Sequence, residues 1–69
     1  MLTAIEIARK VNSLKHGERI EFNEMDIEDA DGIFSGESTF AEKMRAYIDG
    51  PYSFWRSPDS HGKIVFAHD

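Results

Sequence analysis

The groups in this 69-residue chain that can move protons or hold a metal are thirteen carboxylates and three histidines. There is no cysteine, which removes nucleophilic thiols, thiolate metal ligands and disulfides together. A hydrolase working with two acids needs them across a cleft, at least one of them partly desolvated. A single domain of 69 residues offers little depth for that. His16, His61 and His68 fall in expected turns or near the C-terminal end, with no second histidine at the spacing of a helical metal pair. They read as solvated surface histidines, although His61 and His68 can approach each other across the last hairpin. No Gly-rich phosphate loop or nucleophile elbow occurs. The expectation is a protein that is not an enzyme and carries neither cofactor nor metal.

One acidic segment has the outline of a calcium loop. Asp26 to Glu37 spans twelve positions, with Asp first, Glu last and Ile33 eighth. The fifth position, a ligand in EF-hands, is Ala30, and the sixth, where the sharp turn needs glycine, is Asp31. Sliding the frame to put Gly32 sixth leaves Ile27 first and Ser38 last. Neither register supplies a ligand set.

The acids matter more as a charge pattern. Between Glu18 and Glu37 there are eight acids and one base, Arg19, whereas the remaining charges sum to about +2. The formal charge of −5 is thus local. Such a run is either a solvated face that keeps a small domain soluble or a surface that steers toward a basic partner.

These groups need a scaffold, and its outline is legible. With 30% charged and 41% hydrophobic residues the chain belongs with globular domains, not disordered ones. Its length allows one domain, residues 1–69, with stability of roughly 5 kcal/mol or less. Aromatic packing and self-association are the routes left for support, so a homodimer is compatible with this composition. No apolar run approaches a bilayer span and no secretory leader is visible, so a cytoplasmic, membrane-free location is expected.

Thr3 and Glu6 have the spacing of a capping box, and Leu2 with Ile7 that of a hydrophobic staple. Ala4, Ile7, Ala8, Val11 and Leu14 repeat at helical spacing, which predicts a helix over 4–15 closed by Gly17. Glu18 to Phe22 alternates and reads as a short strand, with Ile20 and Phe22 inward. Asn23 or Asp26 then suits the start of a short helix containing Ile27 and Ala30 and stopped by Gly32. Ser35-Gly36-Glu37 reads as a turn, and Ser38 caps the next helix. Phe40, Ala41, Met44, Tyr47 and Ile48 form its apolar stripe, and Gly50-Pro51 ends it. Tyr52 to Arg56 and Lys63 to His68 read as a hairpin. Alternation puts Tyr52, Phe54, Ile64 and Phe66 inward, and Ser53, Trp55, Val65 and Ala67 on the other face.

The order helix, strand, short helix, helix, strand, strand is that of an α+β domain and resembles the winged-helix form of the helix-turn-helix family. The resemblance implies that the helix from Ser38 reads DNA and that Ser57 to Gly62 is the wing tip. Thr39, Lys43 and Arg45 on that helix, with Arg56 and Lys63 near the wing, would then contact duplex DNA. Short, acidic and cysteine-free, the chain also looks like small accessory proteins of bacteriophages, which often occupy a surface of a host protein.

Binding by phosphate neutralisation conflicts with five acids placed just before the reading helix. The leading expectation is therefore a non-enzymatic module that occludes a basic surface on another protein. Its contacts would be Glu24, Asp26, Glu28, Asp29 and Asp31, with Trp55 as an aromatic anchor. A winged-helix DNA-binding regulator is the alternative.

Overall fold

Thr3 closes the start of the first helix, α1 (Ala4–Asn12), in the expected capping box. Its hydroxyl accepts from the Glu6 amide at 3.2 Å, and the Glu6 carboxylate accepts from the Thr3 amide at 3.3 Å. Ala4, Ile7, Ala8 and Val11 are buried. The helix ends before the expected Lys15 because Ser13 turns its hydroxyl onto the Lys10 carbonyl, 2.6 Å away. Gly17 does adopt a left-handed φ of 83°, but in a separate turn where the Glu18 amide donates to Lys15 at 3.0 Å. Thr3→Ala should cost about 1 kcal/mol, a fall of roughly 4–8 °C in a thermal melt of a chain this size. Thr3→Ser should melt as the native chain does.

The computed structural model describes residues 1–36 and 38–69. After α1 come β1 (Arg19–Asn23), a 3-10 turn (Glu24–Asp26), α2 (Ala30–Ser35), α3 (Thr39–Tyr47), β2 (Tyr52–Arg56) and β3 (Lys63–His68). The strands form one antiparallel sheet in the order β1-β3-β2. Phe54 pairs with Phe66, and Phe66 with Ile20; Trp55 pairs with Val65, and Val65 with Glu21. The first row faces the helices and the second faces away, as alternation requires. The rings of Phe22 and Phe54 each lie 5.7 Å from that of Phe66, centre to centre, and the three join Ile7, Val11, Ile33, Met44 and Ile64 in one core.

The segment after β1 departs from expectation. The helix containing Ile27 and stopped by Gly32 is instead a 3-10 turn, a bridge at Ile27, and then α2, which runs through Gly32 to Ser35. Its cap is Asp29, whose carboxylate accepts from the Gly32 amide at 3.1 Å; neither Asn23 nor Asp26 caps it. Gly32 is helical because its missing side chain leaves room for the Asp29 carboxylate and the Ser38 hydroxyl. The residue that ends α2 is Gly36, left-handed at φ 73°. Glu37, the last residue of the expected turn, lies outside the described residues.

Ser38 caps α3, accepting from Ala41 at 3.1 Å while donating to the Gly32 carbonyl at 2.7 Å. Phe40, Ala41, Met44 and Ile48 are buried, but Tyr47, at the margin of the stripe, keeps 53% of its surface in solvent. Asn12 of α1 holds the end of α3, donating to Tyr47 at 2.8 Å and accepting from the Asp49 amide at 2.7 Å. His68 is not a solvated histidine. Its ring nitrogens lie 3.0 Å from the Leu14 carbonyl and 3.2 Å from that of Asp49, and it stacks on His16 rather than approaching His61.

Candidate functional site

The acidic segment is held in place by its backbone. The Leu2 amide donates to the Asp26 carbonyl at 2.5 Å, and the Glu28 amide donates to the Leu2 carbonyl at 2.9 Å. This parallel bridge sets Leu2 beside Ile27, which is buried. Upstream, the Glu24 amide donates to Gly62 at the hairpin, 2.8 Å away. Buried Ile27 thus fixes the middle of the stretch, and the acids on either side of it must project outward.

Each acid has a distinct position. Asp26 accepts from the Asn23 side chain at 3.2 Å, and Asp29 is spent on the α2 cap. Glu28 and Asp31 are exposed, Asp31 with 97% of its side-chain surface in solvent. Glu24 is half-buried and lies 3.0 Å from Arg56, which also approaches Asp31 at 3.4 Å. Arg56 lies over the Phe34 ring, 4.3 Å from its centre. Alternation explains this meeting: Arg56 shares the helix-facing side of β2 with Tyr52 and Phe54, so its side chain runs toward α2. Exposed pairs of this kind contribute little each, and the cation–aromatic contact adds on the order of 1 kcal/mol.

An apolar side chain stands among these acids. Met25, between Glu24 and Asp26, leaves 87% of its surface in water. Phe34, beyond the Arg56 clamp, leaves 38%. A cleft of about 360 Å³ opens nearby, lined by Glu28 and Asp29 and by Thr39 and Lys43 of α3. Two of the five acids, Glu28 and Asp29, thus border the same cleft as Lys43.

The expected sites are regrouped by this geometry. Trp55 is half-buried on the far side of the sheet from α2, with the Arg19 guanidinium 5.3 Å from its ring centre. It lines a separate cleft with Glu21, Pro58 and Asp59. Trp55 and the five acids do not form one contiguous patch. Among the residues expected to meet DNA, Thr39 and Lys43 border the acids, and Arg56 is neutralised by Glu24 and Asp31. Arg45 donates to the Gly36 carbonyl at 3.3 Å, while Lys63 pairs with Asn23 on the sheet. Met25 escaped the sequence reading; its signal was a methionine alone between two acids, in a segment with no apolar period.

Tyr52 begins β2, and its phenol is pushed above the usual 10.0 by burial, against a smaller lowering by Arg45. The fold therefore favours the neutral phenol. Its stabilisation is complete below pH 10.0 and is lost as pH rises through the higher folded value. Tyr52→Phe should remove part of the alkaline loss of stability in denaturant titrations at increasing pH. An unchanged profile would contradict this placement of the phenol.

No protein-family model, curated protein or solved structure matches this chain. Among the described residues, no helix is long and apolar enough to cross a membrane.

Proposed function

We propose that this protein is a non-enzymatic interaction module that occludes a basic surface on a partner protein. The contact is the edge formed by Glu24, Asp26, Glu28, Asp29 and Asp31. The observation that carries this reading is Met25, 87% exposed on a backbone segment bonded on both sides and flanked by acids. An exposed apolar side chain on a fixed backbone, flanked by acids, suits a basic surface with an apolar socket. The acids steer the encounter and Met25 anchors it, the role first given to Trp55. If the partner normally binds nucleic acid, these carboxylates compete with phosphate for its basic groups. Affinity capture from native extract tests the reading. The native chain should retain a basic protein that is released by salt and is absent with Glu28→Lys/Asp31→Lys. Equal capture by both chains would overturn it.

The winged-helix DNA-binding regulator remains the second reading, favoured by the order of elements and by Thr39 and Lys43 on α3. Glu28 and Asp29 in the same cleft as Lys43, and the neutralised Arg56, weigh against it. It requires duplex affinity that falls steeply with salt. A mobility shift at low salt across mixed sequences would favour it, and free duplex throughout would end it.

A further inference from the structure

The sheet has two outer strands, β1 and β2, and their edges differ in chemistry. At the ends of the β2–β3 ladder, the Asp69 amide donates to Pro51 at 3.0 Å and the Ser57 amide donates to Lys63 at 2.8 Å. Antiparallel hydrogen-bonded pairs alternate, so Ser53 and Trp55 also bond inward to β3. Tyr52, Phe54 and Arg56 therefore point their N–H and C=O groups outward. Among the described residues, no hydrogen bond from another element reaches those groups. Strands left this way are usually blunted by lysine, proline or a bulge. β2 has none of these, and its only charge, Arg56, is held by Glu24 and Asp31.

We propose that this edge is a self-association surface: two copies of the chain pair β2 with β2, antiparallel about a two-fold axis at Phe54, joining their sheets into one. The register uses every free group of the strand. Phe54 exchanges both bonds with its counterpart, and Tyr52 exchanges both with Arg56 of the other copy. On the helix-facing side phenyl meets phenyl and guanidinium meets phenol, so no like charges are opposed. On the far side Ser53 lies across from Trp55. The same operation on β1 would set Glu21 directly against Glu21, which is destabilising. Longer-range charge agrees. Arg45 acts on the Tyr52 end of the strand, while Asp31 and Glu24 lie at the Arg56 end. The two-fold brings each Arg45 toward the acids of the other copy. This association shares Glu24 and Asp31 with the proposed partner contact, but it is read out by mass alone, in the absence of any partner protein.

Sedimentation equilibrium over a concentration series tests the pairing. The native chain should rise from 7.9 kDa toward twice that mass. A synthetic chain with an N-methyl group on the Phe54 amide keeps every side chain and every bond to β3 but loses the central outward donor. It should stay at 7.9 kDa with an unchanged far-ultraviolet spectrum. A native chain that remains monomeric to its solubility limit would overturn the proposal, as would a folded N-methyl chain that associates normally. Should methylation prevent folding, the charge pair decides. Arg45→Glu should weaken association about tenfold, and adding Asp31→Lys should restore it. Failure to restore would reject this register.

Discussion

Gly32→Ala is expected to lower stability by about 2–3 kcal/mol, although alanine is the better helix former by about 1 kcal/mol. A Cβ at this position falls on the Asp29 carboxylate and the Ser38 hydroxyl, so both must move. Asp29 caps α2 and Ser38 caps α3, and Ser38 also donates to the Gly32 carbonyl. One methyl group thus disturbs two helix starts and the bond that joins them. Each lost cap costs about 1 kcal/mol. Against a total near 5 kcal/mol, this corresponds to roughly 10–20 °C in a thermal melt. A Gly32→Ala chain that melts with or above the native one would contradict the described α2–α3 junction.

The second large effect concerns binding. Glu28→Lys/Asp31→Lys should weaken affinity for the captured partner at least a hundredfold, the equivalent of about 3 kcal/mol. Both side chains are exposed, neither caps a helix, and the Asp31–Arg56 pair that is lost is a solvent-exposed one worth little, so the variant should fold. Asp29→Lys is a poor probe, because loss of the α2 cap would mix folding with binding. Glu21→Lys/Asp59→Lys is the matched control. It makes the same change in net charge, but in the cleft beside Trp55. If the control loses binding while the first variant keeps it, the contact lies on the Trp55 face. Both affinities are measurable by titration calorimetry at one fixed salt concentration.

Much of the scaffold was legible because its signals are local and agree with one another. The Thr3–Glu6 box, the Ser38 cap and the two-residue alternation of the hairpin each specify backbone geometry within a few positions. They gave the α+β order, both hairpin strands and the inward row of aromatics. The acidic segment was harder. Gly32 looked like a helix stop, since a glycine needed for close approach is indistinguishable by type from one needed for a left-handed turn. Only the fold brings Ser38 beside it. The Leu2–Ile27 bridge joins distant positions and leaves no periodic trace. His68 likewise acquires its carbonyl partners from α1's exit and α3's exit, which sequence spacing cannot bring together.

The candidate site was half legible. Charge counting located the acids, and alternation carried one residue further would have turned Arg56 toward them instead of toward a wing surface. The same alternation already separated Trp55 from the inner row. What it lacked was the position of α2, which sets the acids and Trp55 on opposite sides of the sheet. The conflict between a DNA-reading outline and an acidic front is now concrete: Lys43 lines one cleft together with Glu28 and Asp29.

The most direct measurement is nuclear magnetic resonance mapping of the labelled chain bound to the partner captured from native extract. The predicted result is a block of shifted amides from Glu24 to Asp31 together with a shifted, broadened Met25 methyl, while Trp55 keeps its free-state resonance. Shifts centred on Thr39–Arg45 or on Trp55, with the Met25 methyl unmoved, would contradict the acidic edge as the binding surface.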